Sequence, residues 1–91
     1  MISFWYHVGN PADGPDLWKR VEWPVLPRID EIVDVSDVQG KVSEIWHFTE
    51  CSSPTIWVTV NLDGFEGKSS KEEYFERLRE DDRWIEQPPN I

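Results

Sequence analysis

The stretch Gly64-Phe65-Glu66-Gly67-Lys68-Ser69 carries residue types suited to holding a phosphate. It follows an expected strand and precedes an expected helix. Gly67-Lys68-Ser69 matches the end of the loop that wraps nucleotide phosphates in bare backbone N–H groups. That wrapping needs an earlier glycine, and Leu62 stands at the required position. The pattern also lacks a parallel sheet and an acidic strand end for magnesium. The expectation is an ordinary glycine loop entering a helix. Asn61, Asp63 and Gly64 imitate the middle of a calcium loop. The first ligand position would then be Thr59 and the closing one Ser70, neither of which brings a carboxylate. Cys51 is the lone cysteine. His47 has no spacing that fixes it on the thiol, and Glu50 beside the thiol opposes thiolate formation. His7, His47 and Cys51 show no metal-ligand spacing. No catalytic residue, metal or cofactor is expected.

Carboxylates and indoles are the residues in surplus. Asp30, Glu31, Asp34 and Asp37 form an acidic segment free of bases between Arg28 and Lys41, and Glu80-Asp81-Asp82 forms a second. A solvated surface is the plain meaning of such runs. The functional meaning is an acidic face that steers and selects a basic partner. The six tryptophans, at 5, 18, 23, 46, 57 and 84, exceed what a small core usually needs. Large aromatics fill small cores, and they also anchor binding surfaces. Trp18 and Trp23 flank the edge segment that contains Pro24, and Trp84 closes the helix. These three are the expected exposed anchors.

Composition narrows the partner. The 91 residues carry 9 bases against 18 acids, a formal net charge of −9. Neutralising phosphates takes Lys and Arg, so direct nucleic-acid binding through a basic patch is excluded. A polybasic membrane contact fails on the same ground, and no apolar run reaches bilayer length. A single cysteine allows no internal disulfide. The cytoplasm is the expected compartment. The aromatic content of 13% marks a folded chain.

Short strands followed by one helix must position these residues. Ile2, Phe4, Tyr6 and Val8 alternate with Ser3, Trp5 and His7, which predicts a strand over 2–8. Residues 9–16 are turn chemistry. Residues 19–25 read as an edge strand, because Pro24 and Pro27 each remove a ladder donor. Residues 29–35 are short and β-branched, and Gln39-Gly40 is the expected turn. Residues 41–48 form a strand whose parity breaks between Val42 and Ile45, so a bulge is expected near Ser43-Glu44. Ile56, Val58, Val60 and Leu62 alternate with Thr55, Trp57, Thr59 and Asn61, giving the clearest strand. Ser70 and Glu73 have capping-box spacing at the start of a helix, with Tyr74, Phe75, Leu78 and Ile85 on one stripe. Pro88-Pro89 stops it.

This order predicts an α+β fold in a single domain over 1–91. The sheet is a small antiparallel one, or an SH3-like partly open barrel, of about five strands with one C-terminal helix. The hairpin pattern from Pro27 to Val60 resembles the generic pattern of small SH3-like barrels, over roughly a third of the chain. That likeness carries no catalytic motif and implies no activity. The aliphatic strand faces are expected to close on themselves, with the helix stripe covering the tryptophan face.

The functional expectation is a non-enzymatic protein-binding module, an inhibitor or regulator docking on a basic, nucleic-acid-binding type of protein. Its expected contact residues are Trp18, Trp23, Asp30, Glu31, Asp34, Asp37, Glu80, Asp81, Asp82 and Trp84. The alternative is a structural subunit of a homo-oligomer that pairs through the edge at 19–27. A small nucleotide-binding domain resting on Lys68 ranks third.

Overall fold

The structure is a computed structural model that describes residues 1–36, 38–50, 55–62 and 71–89. Its elements are β1 (Ile2–Val8), β2 (Leu17–Trp23), β3 (Ile32–Val35), β4 (Val38–Phe48), β5 (Thr55–Asn61) and α1 (Lys71–Arg79). The strands form one five-stranded sheet in the order β2-β1-β5-β4-β3. It curls into a half-barrel with one short helix, the small α+β, SH3-like open barrel expected of the strand pattern. Three pairings are antiparallel, whereas β1 and β5 run parallel. The parallel pair arises because β5 returns beside β1 only after three other strands have been laid down. Local periodicity carries no trace of so distant a pairing.

Strand limits follow local chemistry. β2 is an edge strand, and it stops at Trp23 because Pro24 has no N–H for a ladder. β4 carries its register shift between Val42 and Glu44. The extra residue, Ser43, sends Val42 and Ile45 to one face and Trp46 and Phe48 to the other, as the parity break predicts. The chain turns between β3 and β4 at Ser36, ahead of the expected Gln39-Gly40, since Val35 already pairs with Val38. Ser36 takes φ 53° there. Gly40 lies inside β4, where a Cβ would collide with the Val60 side chain and sit 2.9 Å from the Asn61 carbonyl oxygen. Glycine at this position is a packing requirement, not a turn signal.

The helix contradicts one expectation. Phe75 and Leu78 join Phe4, Val8, Val42, Val58 and Val60 in a single buried cluster. The helix therefore covers the aliphatic face, and not the tryptophan face. The physical reason is area: a curled sheet with two free edges leaves its aliphatic side open at one end, and each aliphatic side chain buried there contributes about 1.5–3 kcal/mol. Ile85 is not on the helical stripe. The helix ends at Arg79, and Ile85 pairs as an isolated bridge with Trp18. The Ser70 half of the expected capping box lies outside the described residues.

Candidate functional site

β2 and β3 are the two edges of the sheet, and they do not pair with each other. The seam between them is closed at one end by side chains. The Ser36 hydroxyl accepts from Lys19 Nζ at 3.1 Å and from Trp84 Nε1 at 3.0 Å. It also donates to Asp81, whose carboxyl is held well below its usual range, chiefly by hydrogen bonds from the Arg83 side chain and backbone. The Arg83–Asp81 ion pair is 2.7 Å long. Burial lowers the Lys19 ammonium, Arg83 adds to the shift, and Asp81 opposes it. Trp84 fills the space beneath, and Trp18 N–H and C=O bond the Ile85 backbone at 2.9 and 2.8 Å.

The other end stays open. A groove of about 590 Å³ lies there, lined by Tyr6, Val21, Trp23, Val25 and Ile32 with Glu31 and Asp34, and reached at its closed end by Lys19. Trp23, Val25 and Ile32 are 57%, 62% and 54% exposed. Alternation along β2 puts Lys19, Val21 and Trp23 on one face, and β1 supplies Tyr6 opposite Lys19. Burial raises the Tyr6 phenol, and the neighbouring Asp34 charge adds to it. Asp30 takes φ 71°, which turns the chain just before β3. Glu31 is held below its usual carboxylate range by the Arg28 backbone N–H and guanidinium, at 2.6 and 3.3 Å. Asp30 and Asp34 are exposed. The rim therefore keeps negative charge in water beside bare apolar surface.

The expected contact residues divide accordingly. Trp23, Glu31 and Asp34 line the groove, and Asp30 adjoins it. Trp18 and Trp84 are only 5% exposed, so the expectation that they are exposed anchors is corrected. Trp84 packs in the buried cluster with Phe75 and Leu78. Trp18 lies between His7 and the Ile85 bridge, stacked on the imidazole at 5.1 Å. Glu80 and Asp82 are exposed but do not line the groove, and Asp81 is tied to Arg83. Asp37 lies outside the described residues, as do Lys68, Asp63 and Cys51 with the loops built around them. Sequence reasoning missed Tyr6, Val21, Val25 and Ile32. The available signal was apolar residues interleaved with prolines and acids over 24–32, where no regular element buries them.

A second cluster occupies the opposite face. Trp5, Trp57 and Trp46 lie side by side across three strands. Phe48 packs on Trp57 at 4.7 Å, and Trp46 is 50% exposed. His7 bridges Asp16 through Nε2 at 2.8 Å and Thr59 through Nδ1 at 2.9 Å. A carboxylate, an imidazole and a hydroxyl in line is the order of a nucleophile relay. Here both ring nitrogens serve as struts. Asp16 also accepts the Asn10 N–H at 2.8 Å, so the trio fastens the 9–16 loop to β5. Among the described residues, no three His, Cys, Asp or Glu side chains gather as a metal site. No helix among them is long and apolar enough to cross a membrane.

Comparison with protein-family models, curated proteins and solved structures gave no match.

Proposed function

We propose that the chain is a non-enzymatic binding module that holds a basic segment of a partner protein in the groove between β2 and β3, and so inhibits or regulates that partner. One observation carries the reading. The open end of the seam presents Trp23, Val25 and Ile32 to solvent beside the Asp30, Glu31 and Asp34 carboxylates. An apolar residue of the partner enters the groove, and its flanking Lys or Arg residues meet the rim. Anchors of this kind carry most of the affinity, while rim charges set approach and choice of partner. The net charge of −9 extends the same field beyond the groove.

The test is a binding titration followed by tryptophan fluorescence. The probes are short peptides with one leucine flanked by lysines and arginines. Raising ionic strength from about 0.01 to 1 M shortens the screening length from about 30 to about 3 Å. Affinity is expected to fall at least about tenfold over that range, as charge-led docking requires. Affinity unchanged by salt, or no binding by any such peptide, overturns the proposal.

A further inference from the structure

The groove between β2 and β3 has ends of opposite charge, and the cationic end is shut. There Lys19 stands opposite Tyr6 in the β1–β2 ladder, on the sheet face that carries Phe4 and Val8. Its ammonium gives one N–H to Ser36 and has two more to give. Ser36 is saturated, since its hydroxyl accepts from Lys19 and Trp84 and donates to Asp81. Asp81 is committed to Arg83. Among the described residues, no carboxylate comes within ion-pair distance of Lys19. Burial and the Arg83 charge lower the ammonium, and Asp81 offsets them only in part. This end of the groove lacks a counter-charge, while the open end has exposed acids at Asp30 and Asp34.

We infer, on the binding role proposed above, that the groove receives the C-terminal end of a partner chain, its terminal carboxylate on Lys19 and its terminal apolar side chain against Tyr6, Val21 and Trp23. A chain that enters at the open end cannot run on past Ser36, where side chains bond across the gap. An occupant lying along the groove therefore ends there, and a chain end carries charge. An N-terminal ammonium would meet the Lys19 ammonium. A C-terminal carboxylate accepts the N–H groups that Lys19 has left, a recurring mode of peptide capture.

Strand geometry sets where the bases of that segment lie. Lys19 and Trp23 are four residues apart on β2, about 13 Å at the rise of a strand. An extended segment with its carboxylate at Lys19 brings the residues three and four places upstream level with Trp23 and the acidic rim. Lys or Arg belongs at those places. A bare carboxylate is not enough, because the field of a chain with net charge −9 repels it. The occupant is dipolar, with an acid at its end and bases a fixed distance behind.

Two peptides of one sequence provide the test, read by tryptophan fluorescence at a single ionic strength. Both end in leucine, with lysine and arginine three and four residues before it. One has a free terminal carboxylate and the other a terminal amide. The long-range field favours the amide, which carries one negative charge fewer. Contact with Lys19 favours the acid. The acid is expected to bind at least about tenfold more tightly, as for one member of a hydrogen-bonded charge pair. Lys19→Met keeps an unbranched apolar stem and removes the ammonium. It is expected to weaken the acid by at least about the same factor and to leave the amide unchanged. An amide that binds the wild-type chain as tightly as the acid, or an acid whose affinity survives Lys19→Met, overturns the inference and leaves the groove as a site for internal basic segments. Failure of both peptides overturns the two readings together. The wild-type comparison of acid and amide decides the matter even if the variant does not fold.

Discussion

The two ends of the β2–β3 seam are built from the same pair of edge strands and reach opposite outcomes. At the Ser36 end, a hydroxyl, an ammonium, an indole N–H and a carboxylate bond one another across the gap, and Trp84 fills it. At the Trp23 end, comparable apolar surface is left in water with carboxylates around it. One end completes the fold. The other leaves unspent the surface that a partner would use. Trp84 and Trp23, the same chemistry, thus have different tasks, set by whether neighbouring side chains cover the ring.

Truncating one indole at each end gives the largest expected contrast. Trp84→Ala removes a fully packed side chain and should cost about 3–5 kcal/mol, measured by urea denaturation. Trp23→Ala should change stability by no more than about 0.5 kcal/mol, as exposed positions do. Equal losses at both ends would erase the distinction. A smaller effect sharpens it. Ser36→Ala leaves the Trp84 N–H and the Lys19 ammonium without their acceptor, and the same denaturation series should show a loss of about 1–3 kcal/mol. No loss would mean that the seam is held by packing alone.

The sequence made much of this legible, and its silences have physical causes. β1, β5 and the Ser43 bulge stand out because period-two alternation is local. The edge position of β2 is legible because Pro24 and Pro27 forbid a central ladder. The parallel β1–β5 pair and the helix packing are not legible, since they depend on which faces remain after distant strands meet. Among the indoles, Trp23 beside Pro24 is exposed as its surroundings suggest. Trp18 is covered at the Ile85 bridge and Trp84 packs in the core cluster with residues of distant strands, contacts that no window of neighbouring residues contains. The acidic rim was readable as Asp30, Glu31 and Asp34. Tyr6 and Val21 join the groove only through the β1–β2 register.

The most direct measurement follows the indole N–H resonances of the six tryptophans while a lysine- and arginine-flanked leucine peptide is added. The account predicts a concentration-dependent shift at Trp23, with Trp46 on the opposite face and the sealed Trp84 left in place. A shift centred on Trp46 with Trp23 unmoved would contradict it.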